Sequence, residues 1–221
     1  MSIRSISFAQ GEYYHLYNRG NSKQIIFHDK EDYYRFITLL YTCNGINNFN
    51  NFLVNNTAEK DLYLFERGKP LVSIGAYVLM PNHFHILITE KEEKGISKFM
   101  QKLSTGYVMY FNKKYKRTGS LFEGKFKSKH LDSDEYLKYI FSYIHLNPIK
   151  LIQKDWKENG IENKTKAFNY LNSYPFSSFI DYQKKERKQN LTLDYNSFPK
   201  YFLSCKNFNQ EIIEWLSYGE K

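Results

Sequence analysis

Cysteine is scarce in this chain: Cys43 and Cys205 are the only two among 221 residues. They stand far apart and form no CxxC pair. Neither a disulfide framework nor a thiolate zinc site is available to them, and a reducing interior suits them. Long apolar runs are missing as well. No stretch approaches the roughly 18 consecutive apolar residues that a membrane-spanning helix needs, and the first residues (MSIRSISFAQGEYY) hold no secretory apolar core. The expectation is a cytoplasmic protein without a membrane partner. Internal repeats are absent too. Negative charge is in short supply: 23 Asp and Glu face 32 Lys and Arg, a net charge of +9. Such a balance argues against polyanionic surfaces and for an anionic partner, nucleic acid first and an acidic membrane surface second.

What the chain does have is apolar and aromatic mass. Hydrophobic residues make up 42%, with 20 Tyr and 18 Phe, enough for a folded core rather than a disordered chain. The positive charge is concentrated. Residues 111–130 (FNKKYKRTGSLFEGKFKSKH) carry Lys113, Lys114, Lys116, Arg117, Lys125, Lys127 and Lys129 against the single Glu123. Phe111, Tyr115, Phe122 and Phe126 interleave with them, a mixture suited to holding phosphates and stacking bases.

Periodicity sets out the elements. EYYHLYNRG (12–20) has the composition of a first strand. Asp29 caps a helix through KEDYYRFITLLYT, with Tyr33, Phe36, Ile37 and Leu40 on one stripe. Residues 44–60 hold seven Asn with little pattern and are expected to be a loop or insertion. LVSIGAYVLM and HFHILITE are strand-like runs joined at Pro81–Asn82, hence a hairpin. A helix follows from Gly95, then a loop or short strand in GSLFEGKFKSKHL. Ser133 opens a helix, DEYLKYIFSYIHLN, that ends near Asn147 because Pro148 disfavours helical geometry in the residue before it. A last helix is expected in NQEIIEWLSY. The order β-α-β-β-α-(β)-α predicts an α+β fold: a ferredoxin-like antiparallel sheet backed by helices, with a C-terminal extension.

Within this frame HFH raises a question. Residues two apart on a strand project to the same face, so His83 and His85 point together. They suit a pair of metal ligands; equally, they suit two half-buried histidines on a sheet face. Company comes from YIHLNP, where Tyr143 and Asn147 lie four apart on one helical face. Asn147 offers a hard amide oxygen fit for Mg²⁺ or Mn²⁺ beside two imidazoles. Tyr143 offers a phenol, a weak nucleophile until a metal or base assists it. His145, two residues on from Tyr143, points away and reads as structural. His15 reads as packing near the HxH face, and His28 and His130 as surface residues. Tyr136 and Tyr139 read as core or base-stacking side chains.

YVLMPNHFHILI, GSLFEGKFKS, YIHLNPIK and YPFSSF, in this order and spacing over roughly residues 10–182, resemble the single-tyrosine HUH transposases, and among them the REP-associated tyrosine transposases. That resemblance implies cleavage and rejoining of single-stranded or hairpin DNA through a 5′-phosphotyrosine intermediate. It implies a divalent metal, Mg²⁺ or Mn²⁺, and no nucleotide cofactor. Carried over, His83, His85 and Asn147 hold the metal, Tyr143 is the nucleophile, and the basic residues of 111–130 bind DNA. Residues 1–150 then form the catalytic domain and 151–221 an extension packed on it, as monomer or homodimer. The chain departs from the pattern in the long 44–60 segment and in Leu151–Ile152, where small residues often follow the proline. Rival expectations are a hairpin-binding protein that no longer cuts, a replication-initiator or relaxase-type HUH nickase, and a ferredoxin-like RNA binder.

Overall fold

A computed structural model describes residues 7–47, 62–200 and 205–217. Four strands, β1 (Tyr13–Arg19), β2 (Val72–Met80), β3 (His83–Glu90) and β4 (Lys127–Leu131), form one antiparallel sheet in the order β2-β3-β1-β4. Helix α1 (Lys30–Thr42) joins β1 to β2, and α2 (Gly95–Lys114) joins β3 to β4. This is the ferredoxin-like βαββαβ arrangement expected from the alternation of patterns. Part of the 44–60 segment, residues 48–60, lies outside the described residues.

Local chemistry explains the boundaries. The Asp29 carboxylate accepts from the Asp32 amide at the start of α1, and the Ser133 hydroxyl does the same for Tyr136 at the start of α3 (Asp134–Leu146). Asp134 and Glu135 add negative charge where that helix is positive. Beyond Leu146 the chain tightens into a 3₁₀ turn, Asn147–Leu151, with Pro148 near its start.

Strand alternation divides the sheet into two faces. Phe84 on β3 points to α1 and α2, where it meets Phe36 at 4.9 Å between ring centroids; Phe36 in turn meets Tyr107 at 4.9 Å. Its neighbour His85 points the other way, toward α3, with Tyr143 at 5.4 Å. The first face is the apolar core. The second carries the histidines under α3.

β2 lies at the sheet edge, yet all nine of its residues are buried. Residues beyond 151 supply the missing cover. Leu79 N–H donates to Phe176 O at 2.9 Å, Ser178 N–H to Tyr77 O at 3.0 Å, and Asp194 N–H to Ile74 O at 3.0 Å. Tyr182 donates its hydroxyl to Gly75 O at 2.8 Å. An edge that would otherwise offer open backbone groups is closed. The remaining helices are α4 (Trp156–Asn159), α5 (Lys164–Ser173), α6 (Phe179–Tyr182) and α7 (Cys205–Ser217). Phe208 of α7 packs on Phe141 of α3 at 5.8 Å. His145 is fully buried; its Nε2 meets Ser178 Oγ at 2.8 Å and its Nδ1 meets Phe141 O at 2.9 Å, tying α3 to the covering segment. No helix among the described residues is long and apolar enough to cross a membrane.

Candidate active site

Register puts the site together. Tyr17 of β1 stands opposite His85 and Arg19 opposite His83, so all four share one face. Two residues before Tyr17, His15 shares that face too, and its Nε2 lies 2.8 Å from His85 Nδ1. From above, α3 lowers Tyr143 onto the pair, ring edge against His85. One helical turn on, Asn147 is 4% exposed.

The polar atoms left over are informative. His85 Nε2 and Asn147 Oδ1 are both buried without a hydrogen-bond partner. Buried polar atoms are rarely orphaned, and each of these two keeps bonding capacity that a ligand can use. His83 Nδ1 is 2.7 Å from Asn82 Oδ1, an acceptor, so Nδ1 carries the proton and Nε2 keeps its lone pair. Among the described residues no three His, Cys, Asp or Glu side chains converge as a metal set. The candidate set of His83, His85 and Asn147 is completed by an amide instead, which fits a hard divalent ion of the Mg²⁺ or Mn²⁺ kind.

Electrostatics agree with a ligand role. Burial pushes the His83 pKa down to about 4; Lys150 and Arg19 push the same way and the Asn147 side chain pulls against them. For His85 burial dominates again, with His15, His83 and Lys157 adding to it, and its pKa falls well below the ordinary value. Both imidazoles are therefore neutral near pH 7, with lone pairs to offer. Burial raises the Tyr143 pKa, the hydrogen bond to Asn147 lowers it, and Tyr139 and Tyr17 raise it further. The resting phenol is protonated. Lys157 of α4 places Nζ 3.9 Å from the centre of the Tyr143 ring, a close cation–π contact. Tyr136, Tyr139 and Tyr143 run along α3 as a ladder of nearly parallel rings, 6.3 and 6.2 Å apart, with Tyr139 exposed at its middle.

The site opens into a cleft of about 580 Å³ lined by Tyr17, Met80, His83, His85, Tyr143 and Leu151 among others. Arg19, Lys23, Lys127, Lys150 and Lys154 give it a basic rim. Of the basic residues singled out in 111–130, this brings Lys127 to the cleft, while Lys129 pairs with His15 across the strands. Lys113, Lys116 and Lys125 are exposed. Lys114 is spent elsewhere. It forms ion pairs with Asp29, Glu31 and the fully buried Asp32 at 2.9, 3.0 and 2.9 Å. Arg117 is held by Gln24 Oε1 and Ser120 O. The rim residues fall in two short stretches, Arg19 and Lys23 at and just after the end of β1 and Lys150 and Lys154 after α3, with Lys157 beside the phenol, and neither stretch forms a recognised motif.

No curated protein matches the chain by sequence. A solved structure described as a REP-associated tyrosine transposase bound to a REP hairpin shares the fold: 86% of this chain and 90% of that one superpose with a TM-score of 0.53, at 13% identity. The family whose sequence pattern matches is described as IS200-like transposase, and the match, over residues 67–147, runs from the strand before the histidine pair to Asn147 and takes in every candidate ligand and the tyrosine.

Proposed function

We propose that this protein is a transposase that cleaves and rejoins single-stranded, hairpin-containing DNA through a covalent 5′-phosphotyrosine on Tyr143. The observation that carries the reading is the meeting of Tyr143 with the histidine pair in a lysine-rimmed cleft, with Asn147 buried one helical turn beyond the tyrosine. The IS200-like match over the same residues and the shared fold of the hairpin-bound transposase support it.

The chain's own groups divide the work. The rim lysines hold the phosphate backbone by charge, without reading sequence. Tyr143 and Asn147 stand one helical turn apart on one face at the end of α3, and the Tyr143 ring packs edge-on against His85, so the nucleophile is oriented before substrate arrives. The phenol oxygen attacks the scissile phosphorus as its proton departs. The O–P bond forms, the bond to the 3′-oxygen breaks, and that oxygen leaves as a hydroxyl once protonated. The tyrosyl phosphodiester keeps the bond energy, so rejoining is the same exchange in reverse and needs no nucleotide cofactor. His83, His85 and Asn147 would hold a divalent ion, Mg²⁺ or Mn²⁺, whose chemistry when bound is to polarise the phosphate and ease departure of the 3′-oxygen.

The test is adduct formation. Hairpin DNA labelled 3′ of the candidate cut, incubated with protein and Mn²⁺, should yield a band that resists denaturation, and EDTA should abolish it. Tyr143→Phe should keep hairpin affinity and give no band, whereas Tyr139→Phe should still give one. Wild-type protein that binds the hairpin and never forms the adduct would leave the non-cleaving reading in its place.

A further inference from the structure

The two candidate histidine ligands are prepared differently. His83 Nδ1 faces the Asn82 amide oxygen at 2.7 Å, and an amide oxygen can only accept, so the tautomer of His83 is determined locally. His85 Nδ1 faces another imidazole, His15 Nε2, at 2.8 Å. This pair admits two arrangements. In one, His15 donates from Nε2, and His85 then carries its proton on the buried, unpartnered Nε2. In the other, His85 donates from Nδ1, His15 accepts at Nε2, and His85 Nε2 presents a lone pair into the site. A cation can bind His85 through Nε2 only in the second.

We infer that His15 is a positioning residue for metal binding: it accepts the His85 Nδ1 proton and so holds the His85 Nε2 lone pair toward the site. This rests on the metal reading of His83, His85 and Asn147 and deepens it. The geometry favours the role over simple packing. His15 is 5% exposed and His85 7%, their rings lie 5.0 Å apart at 28°, and water has little access to the contact. Tyr17 closes one side at 5.1 Å from the His15 ring, and Tyr143 meets its edge at 6.2 Å. His15 cannot itself be a ligand through Nε2, because that atom is engaged by His85. Its place on β1, opposite Lys129 and Leu87 in register, keeps it behind the ligand on the same sheet face. Outer partners of ligating histidines commonly set ring orientation and tautomer, and losing one costs roughly tenfold to a hundredfold in metal affinity.

The test uses Mn²⁺ alone on the full chain, read as the loss of the free-ion electron paramagnetic resonance signal, so no activity is required. Wild type should bind, and His85→Ala should not; equal binding by these two would refute the metal reading itself and is distinct from failure of this inference. Given that difference, His15→Phe should weaken Mn²⁺ binding by about tenfold to a hundredfold. His15→Gln, whose amide oxygen can still accept from Nδ1, should stay within about threefold of wild type. Unchanged affinity in His15→Phe would overturn the inference, and so would equal losses in both variants, which would mean packing rather than proton acceptance. Should His15→Phe not fold, long-range ¹H–¹⁵N spectra of metal-free wild type decide alone: the proton of His85 must be on Nδ1 before any cation binds, and finding it on Nε2 refutes the role.

Discussion

If the cleft holds single-stranded DNA, its rim must dominate the salt dependence of binding. Lys23, Lys127, Lys150 and Lys154 line it, and among the described residues none of the four has an acidic partner at ion-pair distance. Each phosphate contact on a single strand contributes about 0.7 to the slope of log affinity against log salt, so replacing all four with Gln should flatten it by about 2.8. Across a fourfold rise in salt that difference amounts to about 1.7 log units, so wild type should lose about 50-fold more affinity than the variant over that range. Replacing Lys113, Lys114, Lys116 and Arg117 is the matching control. Lys114 is committed to three carboxylates and Arg117 to Gln24 and Ser120, so only Lys113 and Lys116 remain to contribute, about 1.4 of slope at most. Fluorescence anisotropy of a labelled hairpin with a single-stranded flank, titrated over a series of NaCl concentrations, measures both slopes. A rim variant with the wild-type slope, or a control variant that takes the larger share, would refute the placement of DNA in this cleft.

Stability offers two further checks. Lys114→Met strands the fully buried Asp32, left with the hydroxyls of Tyr110 and Tyr115 at 2.9 and 2.7 Å and the His28 amide at 2.8 Å. It should cost about 3 kcal/mol by urea denaturation, the lower end for a broken buried pair, while leaving the salt slope within about one contact of wild type. Asp194 gives a pH dependence. Burial alone would raise its pKa, but hydrogen bonds from Lys91, Ser73 and Ser197 outweigh it and hold the carboxyl at about 2. A folded-state value below the unfolded one stabilises the fold above about pH 4, and that contribution is lost as pH falls from about 4 toward 2. After screening of a half-open site it amounts to about 1 kcal/mol. Asp194→Asn should therefore lose about that much at pH 6 and only about a third of it at pH 2.5, where the folded carboxylate is still mostly ionised, and an equal deficit at both would exclude the charge as the cause.

Much of this protein is written in short-range patterns. The alternation of HFHILITE alone puts His83 and His85 on one face, and the spacing of Tyr143 and Asn147 alone puts them on one side of a helix, because both follow from the repeat of a single element. Ser133, Asp29 and Pro148 bound their helices through groups a few residues away. Tertiary structure decided everything that depends on which strands become neighbours. His15 is an ordinary strand residue until β1 pairs with β3 and brings it to 2.8 Å from His85. Lys114 belongs to a basic run in the sequence, yet the packing of α2 on α1 neutralises it, whereas Lys23, after β1, and Lys150 and Lys154, in the stretch after α3, converge on the cleft. Nor does any pattern in 174–194 announce that its backbone will close the edge of β2. Local repeat determines where a side chain points; what it meets there is set by contacts between residues as much as seventy or more positions apart in the chain, which no window of sequence contains.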